Sequence, residues 1–230
     1  MIHQVLDKGF IEVVDKLGND LTVVNSARVS FGKRKDKLDS SDEKLIKYLI
    51  ENKHYSPFRH VMVQFHLKAP EFVMRQWYKH VVGIETTSSH PTKDHAWNEI
   101  SGRYVEIDEK NYYSPQTWRS QSKDNKQASA GQIEYQCTAD DYYKDAMNLI
   151  FEAYNNLLDL GVAKEQARII LPLNIYTEVY WTASFQAIMN FIELRDADHA
   201  QWEIREYAKV MKDIMLELFP VITKFWLQTI

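Results

Sequence analysis

The sequence at residues 61–68 reads Val61-Met62-Val63-Gln64-Phe65-His66-Leu67-Lys68. Apolar side chains fall on every second position, and this period of two predicts a strand with one face buried. Ala69-Pro70-Glu71 follows at once and predicts the start of a helix, because proline and an acidic residue suit the first helical turn. Strands and helices do not alternate as regular βαβ units elsewhere. The sequence therefore predicts an α+β fold with a central, mainly antiparallel sheet flanked by helices.

The rest of the chain carries shorter signals on both sides of this stretch. Residues 10–14 and 21–24 are β-branched runs around Gly18-Asn19-Asp20, which predicts a hairpin. Ser40 and Glu43 predict a capping box for a helix that ends near Asn52. The remaining predictions are loops at 84–96 and 108–129, helices at 139–160 (stopped by Gly161) and around Arg168, a strand at 175–182, and a helix from 183 to about 218 that is interrupted near Asp196.

Composition limits the class of protein. The 230 residues are 45% hydrophobic and contain no Pro/Gly/Ser-rich linker, which predicts one domain over 1–230. The net charge of -4 argues against a nucleic-acid binder, including one that uses its aromatic residues on single strands. The single Cys137 excludes an intramolecular disulfide and fits a reducing compartment. No apolar run spans a membrane and the first residues do not resemble a signal peptide, so we expect a cytoplasmic protein.

Two polar and aromatic blocks predict a binding site. They read Arg75-Gln76-Trp77-Tyr78-Lys79-His80 and Trp97-Asn98-Glu99-Ile100-Ser101-Gly102-Arg103-Tyr104. Arginine and lysine bind phosphate, amides pair with ring edges, and aromatic faces stack, so together the blocks suit an anionic heteroaromatic ligand. Either block alone is also typical of a solvated loop or of an amphipathic helix. That helix would place Gln76, Lys79 and His80 on one side, with Met74 and Tyr78 pointing away.

Several kinds of chemistry are disfavoured by missing motifs. The eight histidines form no His-Glu-x-x-His pattern, and no metal is predicted. Ser101 lacks a Gly-x-Ser-x-Gly context and suits a hydrogen-bond donor to phosphate or carbonyl better than a nucleophile. Cys137 has no histidine near it in sequence, which favours a structural or incidental role.

Any dinucleotide must be held by side chains, because Gly-x-Gly-x-x-Gly is absent. Further candidates are Arg168, Arg195 and His199. The last two are four residues apart and could share a helix face with Phe191 and Trp202. A surface ion pair of Arg195 with Asp198 or Glu203 is the alternative.

Taken in order, these segments resemble the flavin-dependent thymidylate synthases over nearly the whole chain. The matching blocks are Asn-Ser-Ala-Arg-Val-Ser-Phe at 25–31, His-Tyr-Ser-Pro-Phe at 54–58, Arg-Gln-Trp-Tyr-Lys-His at 75–80, Asn-Glu-Ile-Ser-Gly-Arg-Tyr at 98–104, Arg-Ile-Ile-Leu-Pro-Leu-Asn at 168–174, Met-Asn-Phe at 189–191 and Leu-Arg-Asp-Ala-Asp-His-Ala-Gln-Trp-Glu at 194–203. The resemblance implies methylation of dUMP to dTMP, with 5,10-methylenetetrahydrofolate as carbon donor, FAD as hydride carrier and NADPH as reductant. It also implies a homotetramer with active sites at subunit interfaces.

The resemblance assigns roles residue by residue. Arg195 and Ser101 would be catalytic, Arg195 favouring ionisation of the uracil N3. The expected dUMP-binding residues are Gln76, Lys79, Glu99, Ile100, Ser101, Gly102, Arg103, Arg168 and Arg195. The expected FAD-binding residues are Ser56, Lys79, His80, Val81, Glu99, Ser184, Gln186, Asn190 and His199.

The chain departs from the family signature at a few positions. Lys79-His80-Val81 stands where the family has Arg-His-Arg, and residues near 84–96 are inserted before Trp97. Ser184 and Gln186 stand where many members have Asn and Arg. An ammonium cannot repeat the two-pronged contact of a guanidinium, so the flavin contacts should differ in detail. These changes also leave open a rival function, a non-catalytic nucleotide-binding protein that keeps the dUMP pocket without flavin turnover.

Overall fold

The computed structural model describes residues 1–80 and 95–229. The strands within this part of the chain are β1 (Ile2–Val5), β2 (Gly9–Leu17), β3 (Met62–Pro70), β4 (His95–Glu99), β5 (Arg119–Gln121), β6 (Ser129–Gln132) and β7 (Tyr176–Ser184). Five of them form one sheet in the order β1-β2-β3-β7-β4, and every neighbouring pair is antiparallel. β5 and β6 form a separate hairpin. The predicted α+β class with a central antiparallel sheet is confirmed.

Helices follow or separate these strands. The α-helices of the described residues are α1 (Asp20–Arg28), α2 (Ser40–Glu51), α3 (Glu71–Trp77), α4 (Gln136–Asp159), α5 (Lys164–Ala167), α6 (Phe185–Arg195), α7 (Trp202–Leu218) and α8 (Pro220–Leu227). Short 3-10 helices cover Val29–Phe31, Ser56–His60 and Arg168–Ile170. None of the α-helices in the described ranges is long and apolar enough to cross a lipid bilayer.

β3 forms the centre of the sheet, as its alternation predicts. Val63, Phe65 and Leu67 are completely buried, while the residues between them are half-buried. Phe65 lies opposite Trp181 of β7, and the two rings stack at 5.8 Å. α3 begins at Glu71, directly after Pro70, so the predicted helix start is also confirmed.

The predicted hairpin around Gly18 is wrong. Residues 21–24 belong to α1, and the hairpin is instead formed by β1 and β2. Asn19 caps α1, and Thr22 completes a capping box with it, so residues 21–24 form part of a helix although their β-branched run predicts a strand. Val23 and Val24 are completely buried on that helix. Burial therefore outweighs the weak helix propensity of β-branched residues.

Three helix predictions hold with shifted ends. α2 is capped by Asp39 with Asp42 rather than by Ser40 with Glu43, one residue earlier than expected. α4 begins three residues before the predicted start, at Gln136, and Gly161 follows it with a φ of 82°. The helix predicted to be interrupted near Asp196 forms two separate helices, α6 and α7.

The two predicted loops are only partly irregular. Residues 84–94 lie outside the described part of the chain, but His95–Glu99 is β4, an edge strand paired with β7. The second predicted loop contains β5 and the first residue of β6. Both strands are exposed or half-buried and short, so their sequences lack the apolar alternation that identifies β3.

Candidate active site

A cavity of about 670 Å³ lies where β4 ends and the 3-10 helix Arg168–Ile170 passes beside it. Its walls combine acidic, hydroxyl, apolar and guanidinium groups. The predicted site residues in its lining are Glu99, Ile100, Ser101, Gly102 and Arg168. Five residues that the sequence assigned to one nucleotide are therefore brought together from two parts of the chain.

The turn after β4 is shaped to approach Arg168. The Ile100 amide donates to the Glu178 carbonyl oxygen at 2.9 Å, which fixes the start of the turn on β7. A Cβ on Gly102 would lie 3.3 Å from Cδ of Arg168, tighter than ordinary van der Waals contact. Glycine therefore lets the backbone lie against the arginine stem. The Arg103 amide donates to Oγ of Ser101 at 3.3 Å.

Arg168 lines this cavity, whereas Arg103 follows the lining residue Gly102 and is not itself part of the lining; the two arginines also differ in their partners. Arg168 is exposed, and among the described residues its side chain forms no hydrogen bond or ion pair. The Nε of Arg103 lies 3.7 Å from a carboxylate oxygen of Glu165, and both side chains are more than half exposed. Exposed pairs of this kind stabilise a protein little, so the Arg103 guanidinium can exchange Glu165 for an anionic ligand.

Two carboxylates meet in the same cavity. Glu99 accepts hydrogen bonds from Oγ1 of Thr177 at 2.9 Å and from Nε1 of Trp97 at 3.1 Å. Burial, and then the nearby charge of Glu99, raise the pKa of Glu71 to about 6. Glu71 and Thr177 were not identified as site residues from the sequence, because Thr177 reads as an ordinary strand residue and Glu71 as a helix-start acid.

A second polar cluster surrounds Arg195 at the end of α6. Its Nε donates to Nε2 of His80 at 2.9 Å, and its Nη1 lies 3.5 Å from Oε1 of Gln76. Burial, and then the positive charge of Arg195, lower the pKa of His80 to about 4. His80 is therefore neutral near pH 7, and its Nε2 accepts a hydrogen bond from the guanidinium group. Burial also lowers the pKa of Arg195.

This cluster is extended by three residues that the sequence did not assign to the site. Gln76 donates from Nε2 to Oε1 of Gln201 at 2.6 Å, and Gln201 donates to Glu203 at 3.0 Å. Arg119 of β5 donates to Glu203 at 2.6 Å. Gln201 and Glu203 lie in the block at 194–203 that carries the family resemblance. The contact between Gln201 and Gln76 spans more than a hundred residues, and no spacing pattern reveals it.

The residues predicted to bind FAD have different environments. Ser56, Lys79 and His199 are exposed, and Asn190 is half-buried. Ser184 is completely buried and caps α6, its Oγ accepting the Ala187 amide at 3.3 Å. Val81 lies outside the described residues.

Gln186, the remaining predicted flavin residue, is buried. Its Oε1 meets no hydrogen-bond donor among the described residues. A buried amide oxygen without a donor is unfavourable, so a bound N–H group at this point would stabilise the protein. The flavin contacts of all these residues stay predictions.

The structure corrects two expectations about side-chain direction. Arg195 and His199 do not share a helix face, because α6 ends at Arg195 and His199 lies in the connection to α7. Arg195 also forms no surface ion pair with Asp198 or Glu203. Asp198 lies 3.5 Å from Arg205, and Arg195 is bound to His80 instead. Met74 is buried in the core, which agrees with its expected direction away from the polar residues.

The alternatives based on metal or thiol chemistry have no support in the described residues. Within residues 1–80 and 95–229, no group of three or more His, Cys, Asp or Glu side chains is placed to hold a metal ion. Cys137 is exposed at the start of α4 and is not part of either polar cluster.

Comparisons with known proteins give one consistent result. The family model described as thymidylate synthase complementing protein matches residues 12–221. A flavin-dependent thymidylate synthase of Thermus thermophilus is 43% identical over 218 residues, covering 94% of this chain and 75% of that protein. One of Thermosipho africanus is 39% identical over 222 residues, covering 96% and 91%. The crystal structure of a UMP/dUMP methylase, PolB from Streptomyces cacaoi, bound with 5-Br dUMP, is similar with a TM-score of 0.82, 30% identity, and coverage of 98% and 97%.

Proposed function

The chain belongs to the thymidylate synthase complementing protein family, with flavin-dependent thymidylate synthases as relatives, and we propose that it methylates dUMP to dTMP. The carbon donor is 5,10-methylenetetrahydrofolate, FAD carries the hydride, and NADPH reduces the flavin. The observation that carries this proposal is the cavity in which the turn at residues 99–102 lies against Arg168. It combines a cation, a hydroxyl and backbone amides in a space sized for a small ligand.

The phosphate would bind on the side of the cavity where the guanidinium groups of Arg168 and Arg103 are available. Arg168 is exposed and unpaired within the described residues, and Arg103 is held by a weak exposed pair. Charge-assisted hydrogen bonds from guanidinium groups to phosphate are strong and two-pronged. Ser101 precedes Arg103 by two residues, lines the cavity with Arg168 and adds a hydroxyl donor. We therefore assign the dUMP phosphate to Arg168, Arg103 and Ser101.

Arg195 would activate the uracil ring of dUMP. A half-buried guanidinium next to the uracil edge stabilises negative charge at N3, and the ionised ring is more nucleophilic at C5. Neutral His80 suits this role, because it accepts a hydrogen bond from Arg195 without adding a second positive charge. Gln76 lies beside the same guanidinium and would pair with the ring edge. No residue of the chain needs to act as a covalent nucleophile in this scheme.

The polar groups around α6 fit an FAD. Lys79 is an exposed cation suited to the diphosphate, Asn190 is half-buried, and Gln186 has a buried acceptor that lacks a donor among the described residues. Ser56, His80, Glu99, Ser184 and His199 are the other proposed contacts in the described chain, and Val81 is proposed from the sequence alone. When bound, the FAD supplies the hydride transfer that this methylation requires.

We further propose that a second copy of the chain completes each site, as in a homotetramer. Among the described residues no hydrogen bond or ion pair joins the Arg168 cavity to the Arg195 cluster. Apolar side chains around the cavity are exposed, as in surfaces covered by a partner. These are Ile100, Tyr104, Ile169, Ile170 and Leu173. A single domain over 1–230 and a cytoplasmic location stay predictions, the latter supported by the free, exposed Cys137.

One assay tests the proposed function. The purified protein is examined for the absorption spectrum of oxidised flavin, which should bleach on addition of NADPH. It is then incubated with dUMP, 5,10-methylenetetrahydrofolate and NADPH, and dTMP is measured. Omission of each reactant in turn is the control, and Cys137→Ser is the matched active variant.

The rival function, a non-catalytic nucleotide-binding protein, has no support among the relatives, which are enzymes by name. Binding of dUMP without bound flavin and without dTMP formation, even after reconstitution with FAD, would favour the rival and refute the proposal.

A further inference from the structure

A buried carboxylate lies behind the Arg195 cluster. Glu203, at the start of α7, is 4% exposed. Its Oε1 accepts from Nη2 of Arg119 at 2.6 Å and from the hydroxyl of Tyr113 at 3.3 Å. Its Oε2 accepts from Nε2 of Gln201 at 3.0 Å. These donors are what allow an ionised carboxylate to stay buried here.

The hydrogen bonds that link Glu203 to Arg195 through Gln201 and Gln76 can run in only one donor-to-acceptor direction. An ionised carboxylate only accepts, so Gln201 must turn its amide nitrogen toward Glu203 and its oxygen toward Gln76. Gln76 then donates from Nε2 to Oε1 of Gln201 at 2.6 Å. The amide oxygen of Gln76 is thereby left to face Nη1 of Arg195, at 3.5 Å. The charge on Glu203 sets the orientation of the Gln201 amide, and through it that of Gln76, whose Nε2 also donates to the Phe72 carbonyl oxygen at the longer distance of 3.4 Å.

We infer that Glu203 is a positioning residue for Arg195 and acts through the side chains of Gln201 and Gln76. The inference rests on the proposed function, in which Arg195 faces the pyrimidine. A guanidinium that must meet a ring edge needs its donors fixed in one direction before substrate arrives. On one side His80 fixes Nε of Arg195 at 2.9 Å, and on the other Gln76 faces Nη1.

The same carboxylate connects the site to the irregular segment that carries β5 and β6. Arg119 of β5 reaches Glu203 and also lies over the ring of Trp202, 5.0 Å from its centroid. Tyr113 of the same segment packs on Phe72 of α3, their ring centroids 5.9 Å apart. The segment at 108–132 therefore supports the orientation of Arg195 although it supplies none of the predicted site residues.

Glu203→Gln tests the direction of the hydrogen bonds without changing the size of the side chain. The new amide can donate as well as accept. Gln201 can then present its oxygen to residue 203 and its nitrogen to Gln76, which in turn leaves the nitrogen of Gln76 facing Arg195. Two donors would face each other, and Arg195 would lose its fixed direction.

The experiment is a double-mutant cycle on the full enzyme, with Glu203→Gln, Gln201→Met and the double variant. Each single change should lower kcat for dTMP formation by roughly 10-fold, with KM for dUMP changed little, because the phosphate contacts are untouched. The double variant should also fall by roughly 10-fold, since both residues act along one path. A fall of about 100-fold in the double variant, or a normal kcat in Gln201→Met, overturns the inference.

Structural and positioning roles are separated by a matched control. Asp42 is another completely buried carboxylate, bound to Arg28 and Lys35 away from both polar clusters. Asp42→Asn should lower the melting temperature and leave kcat of the folded enzyme unchanged. Gln201 is exposed, so Gln201→Met folds even if Glu203→Gln does not and still tests the path.

A ligand-free measurement separates this inference from the proposed function. If the unaltered chain forms no dTMP, the proposed function fails. The titration of the His80 imidazole, followed by NMR with His80→Gln for assignment, then tests the inference alone. Release of Arg195 should raise the pKa of His80 in both Glu203→Gln and Gln201→Met, and an unchanged titration overturns the inference.

Discussion

Arg168 and Arg195 belong to the same proposed site, but the protein prepares them differently. Arg168 stands exposed on a short 3-10 helix and forms no hydrogen bond or ion pair with another described side chain. Arg195 is half-buried at the end of α6 and is bound by His80 and Gln76. A cation that only binds a charged ligand can stay in water until the ligand arrives. A cation that stabilises charge on a reacting ring must be oriented beforehand, and burial of its neighbours is the cost.

The largest effect expected from this comparison concerns the buried side of the site. The pKa of His80 is lowered from 6.5 to about 4, so the unfolded chain binds more protons between these values. Stability contributed by neutral His80 is present above pH 6.5 and is lost as the pH falls through 4. The free energy of unfolding of the wild type should therefore decrease by about 3 kcal/mol relative to His80→Gln between pH 7 and pH 4.

Denaturant titrations of both proteins at one protein concentration measure this difference. Parallel pH profiles for wild type and His80→Gln would contradict the assignment of a neutral, buried His80. On the Arg168 side the pH dependence has the opposite sign, because the pKa of Glu71 is raised from 4.5 to about 6 and its contribution to stability falls as the pH rises through this range.

Arg195→Lys tests preorganisation directly. The fold and most of the dUMP affinity should be kept, but turnover should fall by ~10²-fold or more, because a rigid two-pronged donor becomes a point charge. Initial rates of dTMP formation, with melting temperature and dUMP affinity as controls, measure this. Near-normal turnover would remove Arg195 from its proposed role.

Arg168→Ala and Arg103→Ala test the exposed side. Each should weaken dUMP binding by roughly 1.5–3 kcal/mol. Arg168→Ala should lie at the upper end, because Arg103 must give up Glu165 before it binds phosphate. Calorimetric titration with dUMP and with deoxyuridine is the check. An arginine whose loss weakens both ligands equally does not contact the phosphate.

Cys137→Ser supplies the baseline for both sides, with the smallest expected effect. Cys137 is exposed and lies in neither polar cluster, so stability and turnover should remain almost unchanged. dTMP formation at saturating dUMP, folate and NADPH measures this. A loss of three orders of magnitude in the folded, flavin-bound variant would make Cys137 a nucleophile and overturn the flavin mechanism.

The sequence by itself determined the parts of this protein in which local pattern and burial agree. The alternation at 61–68 specified β3, because side chains of a strand point to opposite faces and one face is buried. Gly161 ended α4, and the block at 98–104 identified the turn beside Arg168, because consecutive residues of one turn stay together in any fold. The resemblance then followed from such local blocks in their order.

The tertiary structure alone decided features that join distant residues or set competing preferences against each other. Residues 21–24 favour a strand locally, yet they form a helix because Asn19 caps it and Val23 and Val24 are buried there. Glu203 gives no sign of its role in the sequence, since its path to Arg195 passes through residues of α3 and of the connection before α7. Hydrogen-bond direction depends on which groups meet in space, and only the packed chain brings them together.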